Sequence, residues 1–106
     1  MKINELVEKA YEMAVRKGWH ETERSPLEYH MLIVSEVAEA TEAVRKGVPE
    51  INILSAKPEG EAIELADVVI RIADYFGSKG WDLERAIQMK MDYNETRSHR
   101  HGGKKY

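Results

Sequence analysis

The chain has 106 residues, of which 33% are charged and none is cysteine, and its net charge is −3. This length suits one domain that buries roughly 60–65% of its unfolded surface, and the absence of cysteine excludes disulfides and thiolate chemistry. No segment approaches the roughly 18 apolar residues of a membrane span. The first residues enter an amphipathic pattern without the apolar core of a signal peptide, so we expect a cytoplasmic protein that contacts no membrane.

Four segments in turn carry apolar residues at helical spacing. The predicted boundaries are about 4–17, 26–46, 58–76 and 83–97. Ser25 is an N-cap in a capping box with Glu28, Pro26 occupies the first helical position, and Asp82 caps the fourth segment. No segment resembles a convincing strand. The sequence therefore predicts an all-α, four-helix antiparallel bundle, forming a single domain over 1–106.

The charge is unevenly distributed along the chain. Residues 97–106 contain four basic residues and no acid, so the other residues sum to −7. The basic tail from about residue 98 is either a solvated end or an arm that binds phosphate. The acidic body argues against nucleic-acid binding, because duplex binding requires a basic surface.

Two pairs of carboxylates lie on the second and third helices. Glu36 and Glu39 form one pair, and Glu64 and Asp67 form the other. A spacing of three places both acids of a pair on one helix face, about 5–6 Å apart at Cβ. The second pair lies in a segment that is otherwise mostly apolar, where ionised carboxylates are costly unless a cation meets them. The alternative for the first pair is a solvated helix surface.

The ligand types restrict the metal that such a site would hold. Bundle di-iron sites use Glu-x-x-His on two helices, and no histidine here follows a glutamate at that spacing. Zinc favours cysteine and histidine, which these acidic pairs do not supply. A set of four carboxylates, Glu36, Glu39, Glu64 and Asp67, favours Mg²⁺, with Mn²⁺ as a substitute.

The fourth helix changes character along one face. Its apolar stripe continues as Lys90, Asn94 and Arg97, at spacings of four and three. These side chains suit phosphate oxygens, and arginine can bind them through two parallel hydrogen bonds. The alternative is a solvated helix end with cations placed favourably against the helix dipole.

Two further features have competing interpretations. Trp19 follows the first helix beside a glycine, where it either stacks on a nucleobase or closes the end of the bundle. The second helix carries an additional stripe, Met31, Val34, Ala38 and Thr41, roughly opposite its other apolar face. This stripe predicts contact with another subunit in a homodimer or homotetramer, unless the small bundle covers both faces itself.

The acidic and basic patterns together resemble a known family. Glu36-x-x-Glu39, followed after 24 residues by Glu64-x-x-Asp67, is similar to the signature of the MazG-like, all-α nucleoside triphosphate pyrophosphohydrolases. Their Lys-x-x-x-Asn-x-x-Arg element and His-Gly-Lys tail resemble Lys90, Asn94, Arg97, His101, Gly102, Gly103 and Lys104. The resemblance extends from Trp19 onward. Ser35 departs from a glutamate that many members carry, and Ala38 and Ala66 replace common glycines.

The resemblance implies a Mg²⁺-dependent enzyme that hydrolyses (deoxy)nucleoside triphosphates to monophosphate and pyrophosphate and clears unwanted nucleotides. The four acids would hold one or more Mg²⁺, with Glu39 as the candidate general base. Lys90 would bind phosphate and stabilise developing charge together with Asn94 and Arg97. Lys104 would close over the site, and Trp19 would contact the base or sugar. The alternatives are a phosphoribosyl-ATP-type pyrophosphohydrolase and a non-catalytic helical module that binds a nucleotide or a partner.

Overall fold

A computed structural model describes residues 1–54 and 56–97. Its four helices are α1 (Ile3–Arg16), α2 (Pro26–Arg45), α3 (Glu61–Lys79) and α4 (Leu83–Thr96). The described residues form no strand, only an isolated bridge between Asn52 and Glu59. Among the described helices, none is long and apolar enough to cross a membrane. The prediction of an all-helical fold is confirmed for this part of the chain.

The third helix is the centre of the structure, because α1 and α2 both pack along it. Contacts such as Arg71 with Glu36 and Tyr75 with Tyr29 show that α2 runs antiparallel to α3. Gly77 lies beside Tyr11, and the His20 side chain just beyond α1 meets Asp74, so α1 also runs antiparallel to α3. The predicted antiparallel packing is therefore present among these three helices.

The two interfaces of α3 differ in chemistry. The interface with α1 is apolar, and its buried residues are Val7, Ala10, Ala73 and Leu83, the last contributed by α4. Alanines also bring α2 close to α3, where Ala40 and Ala43 are buried. In that same interface two acids, Glu36 and Glu64, are buried. The core is thus a conventional apolar layer on one side of α3 and a partly charged layer on the other.

The predicted boundaries of α3 were wrong at both ends. Gly77 lies inside the helix, where its missing side chain permits close approach of α1, since a Cβ there would lie 2.6 Å from the Tyr11 Cβ. It ends instead at Gly80, which adopts a left-handed conformation with φ of 69°. It begins at Glu61 rather than Pro58, since the preceding segment folds back against the chain before the helix starts.

The connection between α2 and α3 fixes the first turn of α3. Asn52 and Glu59 exchange backbone hydrogen bonds of 2.8 and 3.1 Å, and the Ala62 amide donates to the Glu50 carbonyl at 3.0 Å. Gly60 has a φ of 117°, and a Cβ there would lie 2.1 Å from the Pro49 carbonyl oxygen. This close turn sets the position of the acid that follows one turn later, Glu64.

The fourth helix is attached to the others by its first turn. Asp82 caps it as predicted, accepting from the Arg85 amide at 2.9 Å. The Asn4 side chain donates to Asp82 at 3.0 Å and accepts from the Glu84 amide at 3.2 Å. Within α4 only Leu83 is buried. In the single chain α4 therefore contributes one residue to the core and leaves most of its length exposed.

The additional stripe of α2, formed by Met31, Val34, Ala38 and Thr41, is not covered by other described residues of the single chain. Its four members are exposed, with Met31 at 62% and Val34 at 52% of their possible accessible surface. Among the described residues no large side chain is fully buried. This surface agrees with the predicted subunit contact, and the homodimer or homotetramer remains a prediction.

We predict that Val34→Glu dissociates the oligomer or prevents folding, because it places an unpaired charge in an apolar contact. Thr22→Glu, on the exposed connection between α1 and α2, is the control for an added charge. Sedimentation velocity of both variants and the wild type measures the outcome. A wild-type protein that sediments as a monomer at micromolar concentration would contradict the prediction.

Candidate metal centre

Three of the four predicted carboxylates, Glu36, Glu64 and Asp67, converge between α2 and α3 and form a triad. Glu36 comes from the middle of α2, and Glu64 and Asp67 come from consecutive turns of α3. One oxygen from each lies within 4.8 Å of the other two. Glu36 and Glu64 each expose 7% of their surface, and Asp67 is more accessible. Antiparallel packing of the two helices, with alanines in the contact, brings the three acids together.

The spacing of these oxygens fits a small hard cation. Mg²⁺ holds its ligands octahedrally at 2.0–2.1 Å, so neighbouring and opposite ligands lie roughly 3 and 4 Å apart. The carboxylate oxygens lie within 4.8 Å of one another, so a neighbouring pair would have to close by at most about 2 Å to reach that geometry. All three donors are carboxylates, which favours Mg²⁺ or Mn²⁺ over softer metals. The residues therefore fit the predicted cation.

The fourth acid, Glu39, lies beside this triad and contacts Glu64. Both side chains line one cavity, and burial and Glu39 together raise the pKa of the Glu64 carboxyl, although Glu39 is exposed and outside the group of three converging oxygens. Its assignment as general base remains a prediction.

Burial and neighbouring carboxylates raise the pKa of Glu64. Burial raises the pKa of its carboxyl, and the hydrogen bond and negative charge of Glu39, followed by the charge of Asp67, raise it further. The positive charge of Lys57 opposes this rise. A carboxyl whose ionised form is disfavoured by like charges is the kind of group that a bound cation stabilises.

Arg71 is a member of the site that the sequence prediction missed. It lies one turn after Asp67 on the same face of α3, and its Nε donates to Glu36 Oε1 at 3.0 Å. Its guanidinium also lies over the Trp19 ring, 5.4 Å from the ring centre. The spacing of four from Asp67 was a usable signal, because it places a cation on the acidic face of α3.

A cavity of about 280 Å³ lies on the Arg71 side of the triad, and Arg71, which contacts Glu36, forms part of its lining. Its lining comes from the α1–α2 connection, α2 and α3: Trp19, His20, Arg24, Tyr29, Leu32, Ile33, Arg71 and Asp74. Trp19 is 37% exposed and forms part of the wall, so it is available to a ligand here. The predicted contact of Trp19 with a base or sugar has a cavity in which to occur.

Hydrogen bonds stiffen the wall of this cavity. His20 Nε2 lies 2.7 Å from Asp74 Oδ1, and His20 Nδ1 lies 3.1 Å from the Tyr29 hydroxyl. Because a carboxylate only accepts, Nε2–H donates to Asp74, and in the neutral imidazole the Tyr29 hydroxyl donates to Nδ1. Arg24 donates to the Trp19 carbonyl at 2.8 Å. These contacts hold the Trp19–His20 segment in a defined position.

A second, more polar cavity of about 360 Å³ lies on the Glu39 side of the triad. Glu39 and Glu64 line it, together with two cations, Lys46 and Lys57. Lys46 also contacts Glu42 at 3.9 Å on the exposed surface of α2. The acidic centre therefore lies between an aromatic cavity and a cavity that contains lysines.

The phosphate-binding face predicted for α4 is not part of this acidic site in the single chain. Lys90, Asn94 and Arg97 are exposed, and the described residues of α4 line neither cavity. Lys90 and Arg97 instead approach the Tyr93 ring, at 5.3 and 5.8 Å from its centre. The single chain does not bring these residues to the acids, and their role remains a prediction. Lys104 and the basic tail lie outside the described residues.

Comparison with known proteins gives no relative for this chain. A scan against protein-family models found no matching family, and searches of curated proteins and of solved structures found no match. The interpretation of the site therefore depends on its geometry and on the motifs in the sequence.

We predict that the metal-free protein loses stability as pH rises above about 4.5, the ordinary pKa of the Glu64 carboxyl. The folded state holds this proton more tightly than the unfolded chain, so the associated stability is complete below that pH and is lost through the raised pKa. Glu64→Gln removes this contribution and should show a flatter dependence. Urea unfolding of both proteins in chelator, over a range of pH, measures the difference, and identical pH profiles would contradict it.

Proposed function

We propose that the protein is a Mg²⁺-dependent hydrolase that converts (deoxy)nucleoside triphosphates to monophosphate and pyrophosphate. The observation that carries the proposal is the convergence of Glu36, Glu64 and Asp67 at a Mg²⁺-compatible spacing between two cavities. The motif resemblance supports MazG-like architecture and a nucleotide-clearing role in the cytoplasm. The proposed active form is a homodimer or homotetramer.

The two cavities suggest how a nucleotide would lie across the site. The aromatic cavity offers Trp19 for stacking and a polar edge formed by His20 and Asp74, which suits a base and sugar. The phosphate chain would then cross the acidic centre toward the cavity lined by Lys46 and Lys57. Neither duplex nucleic acid nor a membrane is needed to explain these features.

Each step of the proposed reaction can be assigned to residues of this chain. Glu36, Glu64 and Asp67 would hold Mg²⁺, and a bound Mg²⁺ would shield phosphate charge and lower the pKa of water. Glu39, which lines the polar cavity beside Glu64, would accept the proton of the attacking water. The water oxygen bonds to phosphorus, the bridging P–O bond breaks, and pyrophosphate departs with the electron pair. Lysine ammonium groups bind the phosphate oxygens and stabilise their developing charge.

Asp67→Asn should separate this proposal from a non-catalytic helical module. The change keeps the shape of the side chain but removes one charge from the triad, so we expect weaker Mg²⁺ binding and a loss of turnover of at least about 100-fold. Asp92→Asn, on the exposed surface of α4, is the matched control. Calorimetric titration with Mg²⁺ and a panel of ribo- and deoxynucleoside triphosphates, monitored for monophosphate and pyrophosphate, give the readouts.

Two results would reject the proposal. One is the absence of pyrophosphate release by the wild type across the whole panel. The other is unchanged turnover in a folded Asp67→Asn variant. Turnover confined to phosphoribosyl-ATP would favour that substrate on the same fold.

The role of α4 can be tested separately. If Arg97 binds phosphate, Arg97→Ala removes a charge-assisted contact of roughly 1.5–3 kcal/mol and lowers kcat/KM by about one to two orders of magnitude. Lys90→Ala should behave similarly, because the two residues share a helix face. The two losses need not add, since both residues would hold one phosphate chain. Steady-state kinetics with Arg85→Ala as the control measures this.

The opposite outcome for α4 is also informative. Near-wild-type kcat/KM in both variants would show that Lys90 and Arg97 do not bind the substrate and are only solvated cations near the C-terminal end of α4. Loss of activity in Lys57→Ala alone would then assign phosphate binding to the polar cavity next to Glu64.

A further inference from the structure

Arg71 lies at the boundary between the acidic centre and the aromatic cavity. Its Nε donates to Glu36 Oε1 at 3.0 Å, and its guanidinium carbon lies over the Trp19 ring, 5.4 Å from the ring centre. The same side chain lines the aromatic cavity with His20 and Asp74. One residue thus contacts a candidate metal ligand and the candidate nucleoside cavity at once.

The guanidinium retains hydrogen-bonding capacity at this boundary. An arginine has five N–H donors, and the four on the terminal nitrogens form no hydrogen bond with a described residue. The side chain is about one-third exposed, while the carboxylate it contacts is almost buried. Donors of this kind, next to a ring and open to a cavity, suit the oxygens of a phosphate group.

The contact with Glu36 also leaves that carboxylate available to a cation. Arg71 occupies one oxygen of Glu36, and a carboxylate offers a second oxygen with further acceptor sites. A guanidinium that fixes one oxygen orients the other, as supporting hydrogen bonds commonly do for metal ligands. Arg71 can therefore remain in place when a cation binds.

We propose that Arg71 binds the phosphate group adjacent to the nucleoside while its Nε orients Glu36, so that the nucleoside cavity and the metal centre are joined by one side chain. This inference rests on the proposed function, in which the nucleoside occupies the aromatic cavity. A phosphate attached directly to that nucleoside would lie at the cavity mouth, where Arg71 lies. The ligand class is a nucleoside 5′-phosphate, and the sequence-predicted residues of α4 are not required for this contact.

The test compares ligands that differ by one phosphate. Affinities of each common deoxynucleoside and its 5′-monophosphate are measured by calorimetry in saturating Mg²⁺, for the wild type, Arg71→Met, Arg71→Lys and the surface control Arg85→Met. We expect Arg71→Met to weaken the monophosphate at least tenfold, a usual effect of losing a charge-assisted hydrogen bond. Nucleoside affinity should be unchanged. Arg71→Lys, which keeps the charge but loses the planar fork, should give an intermediate loss.

Mg²⁺ affinity and folding are measured on the same variants by calorimetry and thermal unfolding. If Arg71→Met fails to fold, Arg71→Lys still supplies the comparison, because an ammonium group can remain beside Glu36. Equal losses for nucleoside and monophosphate would show that Arg71 only maintains the cavity and would overturn the inference. So would unchanged monophosphate affinity in either folded variant.

Failure of this inference can be distinguished from failure of the proposed function. Wild-type turnover of nucleoside triphosphates, combined with unaffected Arg71 variants, rejects the role of Arg71 alone. A wild type that neither binds these ligands nor releases pyrophosphate rejects both.

Discussion

The structure depends on how α2 and α3 keep two buried carboxylates in the interface between them. Glu36 and Glu64 occupy positions that a simple bundle would give to apolar residues, and Asp67 lies beside them. Isolated charges in such a place are costly. Arg71 meets Glu36, Lys57 partly offsets the charge around Glu64, and the remaining excess of negative charge favours a divalent cation.

This requirement explains features of the surrounding fold. Buried alanines let α2 approach α3 closely, and the turn at Gly60 fixes where α3 begins. The apolar contribution to stability then comes mainly from α1 against α3, centred on Val7 and Ala73. The stripe of α2 formed by Met31, Val34, Ala38 and Thr41 and most of α4 remain exposed in the single chain, and the stripe is where we predict a subunit contact.

Local patterns in the sequence predicted those parts of the fold that local physics determines. The capping box at Ser25, the cap at Asp82 and the acidic pairs each follow from residues within one or two turns. The path of α3 through Gly77 could not be predicted this way, because it depends on Tyr11, which is distant in sequence. The contact between Arg71 and Glu36 likewise requires the packing of two helices, and the position of α4 follows from contacts between its first turn and Asn4.

We propose that a divalent cation binds in the interface between α2 and α3. A crystal structure of the protein grown with Mn²⁺, with anomalous diffraction data, would test it most directly. We expect an anomalous peak bound by oxygens of Glu36, Glu64 and Asp67, with Arg71 still in contact with Glu36. A peak at other residues only, or none at saturating Mn²⁺, would contradict it.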